Sequence, residues 1–194
     1  TYIDVDVFSL NWDFSLDKLF YGLELTHNNV LSTATEGTQT RYPSGGSNLS
    51  TAALYSSYKK EVNEHFVWNT GLRYSRVIGD MVFRETDPVF VTDEIEFNNG
   101  ALTGNLNLIY KPSEKWKFDW VASSGFRNPN IDDYGKVFVK KGNMVIPNPD
   151  LTPEYAYNGE MSITWKKKRI KSTSNVYYTY LKDAIVKQDL GYSQ

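Results

Sequence analysis

WKFDWVASSGF, residues 116–126, carries the most regular alternation in the sequence. Trp116, Phe118 and Trp120 stand at alternate positions, with polar residues between them. Successive side chains of a β-strand point to opposite faces, so a period of two predicts a strand with one apolar and one polar face. The segment therefore predicts a half-covered sheet rather than a helix.

A second alternating segment, 154–165, follows after a long interruption at 127–152. The interruption is rich in Pro, Gly and Asn and is too long for a hairpin turn. Loops of this length in compact proteins are usually functional or disordered. We therefore expect a β-scaffold that displays long loops on one side.

The same alternation predicts eight long strands and no helix in the chain. The other six predicted strands lie at 2–14, 19–26, 50–62, 66–75, 102–110 and 170–180. Within 2–14 the apolar positions change from odd to even after Val7, which predicts a β-bulge there. The predicted fold is an all-β, antiparallel up-and-down meander that forms part of a transmembrane barrel.

The connections between these strands alternate strictly between short and long. Short turns are expected near 15–18, 63–65, 112–115 and 166–169, and long loops at 31–49, 80–98 and 127–152. Outer-membrane barrels have short periplasmic turns and longer external loops. The connections therefore favour a membrane barrel, with residues 1–194 forming part of it.

Four tryptophans, Trp12, Trp68, Trp116 and Trp165, lie within a few residues of a predicted short turn. Aromatic girdles of membrane barrels occupy this level, because a Trp ring is apolar with one polar edge. The alternative is a soluble or small membrane β-barrel that binds a ligand passively and turns its aromatics toward a core.

Composition narrows the classes of function. The formal net charge is -2, which does not favour nucleic-acid binding, and the absence of cysteine excludes disulfides, thiolate metal sites and a cysteine nucleophile. No residue spacing points to an enzyme mechanism or a phosphate-binding loop. The sequence opens in mid-strand without a signal peptide, so we expect a piece of a longer protein.

Two proline-containing motifs, SGFRNPNIDD at 124–133 and PNPDLTPE at 147–154, resemble the C-terminal barrel half of TonB-dependent outer-membrane receptors. YGLEL at 21–25, RYPSGGS at 41–47 and GLRY at 71–74 are similar to that family in the same order. The resemblance implies a barrel of about 22 strands with a plugged lumen. It implies active uptake of a nutrient complex across a Gram-negative outer membrane, energised by TonB through an N-terminal plug.

The resemblance also selects the candidate functional residues. They are Arg41, Tyr42, Phe126, Arg127, Pro129, Asn130, Asp132, Asp133, Asn148, Pro149, Leu151, Pro153 and Glu154. Arg127 is a candidate for pairing with a plug acid or anionic cargo, or for closing the loop base. Asp132 and Asp133 could bind a cation or simply be solvated. The prolines fix φ at the strand entry.

The expected cargo is an iron complex of the siderophore type. The haem branch of the family has a ligand histidine between two similar motifs, whereas 130–147 contains none, which disfavours haem. Tyr134 remains either a ligand or a packing residue. No cofactor or metal site is expected. Expected partners are outer-membrane lipid, the plug and TonB, with the basic turn Lys166 to Arg169 either contacting head groups or staying hydrated.

Overall fold

A computed structural model describes residues 2–33, 42–83, 94–130, 133–134, 138–140, 143–145, 148 and 150–186. The long strands are β1 (Tyr2–Leu16), β2 (Leu19–Thr33), β3 (Ser47–Glu61), β4 (Phe66–Val82), β5 (Glu94–Ser113), β6 (Trp116–Arg127), β9 (Glu154–Lys167) and β10 (Ile170–Lys182). Two short strands, β7 (Phe138–Lys140) and β8 (Asn143–Val145), pair with each other inside the longest connection. The eight long strands form one sheet.

The sheet order is β1-β2-β3-β4-β5-β6-β9-β10, and every neighbouring pair is antiparallel. This confirms the predicted meander of eight strands. Each long strand pairs with the next long strand along the chain, because short turns or loops return the backbone directly beside itself.

The pairing register separates an outward face from an inward face. In one row across the sheet, Leu54 pairs with Leu23 and Tyr74, and Tyr74 pairs with Leu102. In the neighbouring row, Tyr55 pairs with Arg73. Directly opposed residues point to the same side of a sheet. The outward face is therefore apolar through the middle of the strands, and the inward face is mainly polar.

The outward face is exposed, as a lipid-facing surface must be in the isolated chain. Leu54, Leu72 and Leu102 are 61%, 57% and 66% exposed. Soluble monomers rarely present a continuous apolar patch beyond a few hundred Å². The predicted alternative, with aromatics in a sealed core, is not what the sheet shows: Trp12, Trp116 and Trp120 are exposed on the outward face. Among the described residues, β1 and β10 do not pair with each other.

Two details of the prediction are wrong. The strands extend into all three predicted loops. Within 31–49, β2 continues to Thr33 and β3 begins at Ser47; within 80–98, β4 continues to Val82 and β5 begins at Glu94. At the loop 127–152, β6 continues to Arg127. Polar residues alone do not end a strand, because the hydrogen bonds between strands join backbone groups whatever the side chain. The predicted bulge in 2–14 is also wrong, since β1 pairs with β2 in one unbroken register. The described irregularity lies between Tyr110 and Ser113.

The protein core lies at the long-loop end of the sheet, on the inward side. Its buried members are Val77, Met81, Phe83, Ile95, Phe97 and Tyr134, with Leu49, Phe126 and Leu151 packed against them. Tyr134 belongs to the long connection, so part of that connection folds back over β4 and β5. No helix in the described part of the chain is long and apolar enough to cross a membrane.

Candidate functional site at the long-loop rim

Tyr134 anchors the long connection to the sheet. Its ring stacks on Phe97 with centroids 4.8 Å apart, and it is 0% exposed. The Tyr134 hydroxyl donates a hydrogen bond to the carbonyl of Leu151 at 3.0 Å. Burial raises the pKa of the Tyr134 phenol. Of the two roles left open for Tyr134, the geometry is that of a packing residue.

Phe97 has room for this stack because Gly79 lies directly opposite on β4. A Cβ built on Gly79 would lie 2.4 Å from the Phe97 ring, closer than real Cβ contacts. Glycine therefore allows Phe97 to lie flat across its partner strand, a device known from sheets in which an aromatic ring covers a glycine. Gly79, Phe97 and Tyr134 form three successive layers at this rim.

Arg127 closes the base of the same loop. Its guanidinium Nη1 lies 2.6 Å from Asp133 Oδ2, and its Nε lies 3.7 Å from Glu154 Oε1. Glu154 is directly opposite Arg127 in the sheet, and its Oε2 accepts a hydrogen bond from the Ile185 backbone at 2.9 Å. The guanidinium therefore joins the end of β6, the loop and the start of β9. Loop closure was one of the roles predicted for Arg127, and its partners here are the carboxylates of Asp133 and Glu154.

Asp133 also orders the chain before it. Its carboxylate accepts a hydrogen bond from the Asn130 backbone N–H, and Asn130 Oδ1 accepts one from the Asp133 N–H, both at 3.0 Å. The Tyr134 N–H donates to the Asn130 carbonyl, also at 3.0 Å. These reciprocal bonds form a tight turn that delivers Tyr134 to its pocket. We refer to Arg127, Asp133, Tyr134, Leu151 and Glu154 as the loop-base cluster.

The loop replaces strand pairing beside the outer part of β5. The β5–β6 ladder stops at Asn105 and Ser123 on the side of the long loops. Beyond it, Asn99 donates to the Asn128 side chain at 2.7 Å. Pro129 is fully buried next to this contact. The motif that carries the family resemblance therefore fills the space where β5 and β6 diverge.

The other predicted residues are less tightly connected. Asn148 accepts a hydrogen bond from the Asp150 N–H at 3.0 Å, and Pro153 is half-buried beside the start of β9. Tyr42 lies at a bend before Pro43, where Gly45 and Gly46 exchange backbone hydrogen bonds with Val82. Arg41, Asp132 and Pro149 lie outside the described residues. The described residues contain no cluster of three or more His, Cys, Asp or Glu able to hold a metal ion.

A second polar cluster lies on the inward face of β1 to β4, and the sequence analysis missed it. Arg73 Nη2 lies 3.0 Å from Glu24 Oε2, and the Arg73 guanidinium covers the ring of Tyr55 at 5.4 Å. The Tyr55 hydroxyl donates to Asp13. A Cβ on Gly22 would lie 2.6 Å from Tyr55, so this glycine makes room for the ring. The signal in the sequence was a set of charged residues on the inward face of predicted strands.

These features together define a piece of a large membrane β-barrel. Its apolar outward face would contact lipid, its polar inward face would line a lumen, and its long connections are fastened at one rim. Within the described residues the eight strands do not close into a barrel, because β1 and β10 remain open edges.

The sequence matches the family model described as "TonB dependent receptor-like, beta-barrel" over residues 1–194. The chain belongs to this family of TonB-dependent receptors, which confirms the resemblance. Receptors of the family are transporters of the Gram-negative outer membrane and not enzymes, as predicted. A comparison with curated protein sequences finds no match.

Solved structures show the same fold. The FrpB iron transporter of Neisseria meningitidis is 16% identical, with a TM-score of 0.64 over 94% of this chain and 28% of FrpB. The hemophore receptor HasR of Serratia marcescens is 16% identical, with a TM-score of 0.66 over 88% of this chain and 31% of HasR. The ferric yersiniabactin receptor FyuA of Yersinia pestis is 17% identical, with a TM-score of 0.56 over 94% and 29%. The chain thus spans under a third of each of these proteins.

Proposed function

We propose that the complete protein imports an iron complex of the siderophore type across the outer membrane, energised by TonB acting on an N-terminal plug. The observation that carries the proposal is the family match over residues 1–194, on a sheet whose outward face is apolar and whose inward face is polar. That division of faces suits a barrel with lipid outside and a hydrated lumen inside.

The iron assignment draws on the proteins of similar fold. FrpB is an iron transporter, FyuA takes up ferric yersiniabactin, and PiuA of Acinetobacter baumannii is a siderophore receptor. HasR is a hemophore receptor and OprC is a copper transporter, so the fold also serves other cargo. Residues 130–147 contain no histidine. Tyr134 is buried and hydrogen-bonded to Leu151, which argues against its use as an axial haem ligand.

The inward cluster of Arg73, Glu24, Tyr55 and Asp13 has a place in this proposal. It offers charged and phenolic groups on the lumen side of four adjacent strands. The plug of the complete receptor would lie against this wall. The loop-base cluster would hold the external connection in a fixed position over the lumen. A binding surface that needs no further ordering binds cargo more tightly.

The test is uptake by cells that carry the complete receptor as their one route for iron. Radioactive iron is offered as a ferric catecholate, a ferric hydroxamate, ferric citrate and haem, with and without TonB. We expect TonB-dependent uptake of at least one ferric siderophore and none of haem. Uptake of iron from haem alone, or no import or binding of any ferric siderophore, would refute the siderophore assignment while leaving the family membership intact.

A further inference from the structure

The connection between β9 and β10 is the one described short turn whose charged residues are all basic. Residues 166–171 read KKKRIK. The other three short turns each contain an acid: Asp17 with Lys18 between β1 and β2, Glu64 between β3 and β4, and Glu114 with Lys115 between β5 and β6. Hydration alone does not require a single sign of charge, because mixed turns are equally soluble.

The backbone conformation and the strand pairing at this turn both disfavour lysine. Lys168 has φ of 51°, in the left-handed region that turns normally fill with Gly, Asn or Asp. Asp17, in the β1–β2 turn, adopts a similar φ of 50° with a residue that tolerates it. Lys166 lies directly opposite Lys171, and like charges at opposed positions of a sheet repel. The sequence places lysine where both effects oppose it.

Carboxylates do not neutralise these cations within the described chain. None of Lys166, Lys167, Lys168, Arg169 and Lys171 forms an ion pair there, and all are exposed. By contrast, Lys59 at the β3 end pairs with Glu61 at 3.1 Å, and Lys117 pairs with Asp119 at 2.7 Å. The positive potential of the basic turn is therefore left for an external anion.

The position of the turn identifies that anion as a lipid head group. Trp116 and Trp165 are directly opposed on the outward face with ring centroids 6.4 Å apart, just inside the turn. Paired Trp rings mark the level of the membrane interface. Lys167 and Ile170 are the last outward pair before the turn, so the cations begin where the apolar face ends. Basic residues at this level attract anionic lipids.

We propose that the basic turn, residues 166–171, binds the phosphate head group of an anionic phospholipid in the leaflet on the short-turn side of the barrel. Lys167 and Lys168 attract the phosphate, and Arg169 can donate two parallel hydrogen bonds to its oxygens. The acyl chains then lie along Trp116 and Trp165. The interaction holds this part of the barrel at a fixed depth in an anionic membrane.

The test titrates the purified complete receptor, in nonionic detergent, with phosphatidylglycerol or phosphatidylcholine of identical acyl chains and counts bound lipid by native mass spectrometry. We expect phosphatidylglycerol to bind about tenfold more tightly than phosphatidylcholine at low salt, with the preference shrinking as salt rises. The triple variant K167Q/K168Q/R169Q should lose most of the preference and keep its affinity for phosphatidylcholine.

Two further variants separate charge from folding. K18Q/K59Q/K60Q removes three cations from the rim of β1 to β3 and should leave the preference unchanged. K167R/K168R keeps the charge and should retain the preference for phosphatidylglycerol. If the triple variant fails to fold, the single variant Arg169→Gln should lower this preference a few-fold. Equal loss in the K18Q/K59Q/K60Q control, no loss in the basic-turn variants, or full displacement by millimolar inorganic phosphate would overturn the proposal.

Discussion

The two ends of this sheet are stabilised in different ways. At the long-loop rim, Phe97 and Tyr134 are buried within a protein core, and Arg127 ties loop to strand. At the short-turn rim, Trp116 and Ile170 are exposed, and the turn beside them is basic. The long-loop rim buries aromatic rings within the protein, whereas the Trp116 ring at the short-turn rim remains exposed although it contacts Trp165. The long-loop rim is therefore the end of the described sheet at which a buried protein core forms.

Removing the ring at the centre of the core is the largest expected disruption of the long-loop rim. Tyr134→Ala deletes the stack on Phe97 and the hydrogen bond to Leu151. Truncation of a buried aromatic costs about 3–5 kcal/mol. In the complete receptor, hydrogen exchange of the amides in 128–153 should accelerate accordingly. Tyr157→Ala, on the exposed outward face, is the control, and equal exchange in both variants would show that Tyr134 does not hold the loop.

Charging the outward face tests the opposite end of the comparison. Leu54→Lys places a cation against lipid, at a cost of about 2–4 kcal/mol near the bilayer midplane. Ser57→Lys, on the inward face of the same strand, should cost well under half of that. Urea titration of the complete receptor folded into vesicles measures both. Equal costs for the two lysines would contradict the assignment of faces.

The guanidinium contacts should contribute less than the ring. Arg127 is 42% exposed on its side chain, and screening by water weakens ion pairs of this kind. Arg127→Ala should therefore destabilise loop docking by about 1 kcal/mol. A double-mutant cycle with Asp133→Asn should give a coupling energy of the order of 0.5 kcal/mol. Additive effects of the two substitutions would show that Arg127 and Asp133 do not stabilise the docked loop through each other.

The smallest expected effect is that of one hydroxyl group. Tyr134→Phe keeps the stack and loses the bond to Leu151, which should cost about 1 kcal/mol near neutral pH. Because burial raises the pKa of Tyr134, the docked loop disfavours the phenolate. The docked loop should keep its full stability at a pH below the pKa of tyrosine in the unfolded chain, which is about 10. Its stability should fall as the pH rises above that pKa. Hydrogen exchange of wild type should show this alkaline loss, and Tyr134→Phe should lack it.

The sequence predicted the strands of the middle of the sheet because apolar residues recur at alternate positions along much of each strand. In Trp116 to Phe126, five of the six outward positions are apolar, as expected for a strand with one face toward lipid. The strand ends were missed where this constraint is absent, as at Asn29 and Asn48, whose side chains bond to each other across the ladder. The change of phase after Val7 reflects apolar residues on both faces of β1 rather than a bulge.

The candidate site was predicted in part. The motifs around Arg127 and Leu151 were identified by resemblance, and the structure brings them together. The stack of Tyr134 on Phe97 was not predictable from local pattern, because it joins residues from separate loops and strands and depends on Gly79 opposite. Tertiary packing determines a contact of that kind, and the periodicity of the sequence does not predict it.

Alternate residues of these strands are expected to face lipid and lumen. The chain contains no cysteine, so single spin labels can be introduced at positions 52–57 of β3 in an otherwise cysteine-free complete receptor, reconstituted into vesicles. We predict high oxygen accessibility at 52, 54 and 56, and lower oxygen accessibility at 53, 55 and 57. Loss of the alternation, or oxygen accessibility highest at 53, 55 and 57, would show that the outward face of β3 does not meet lipid.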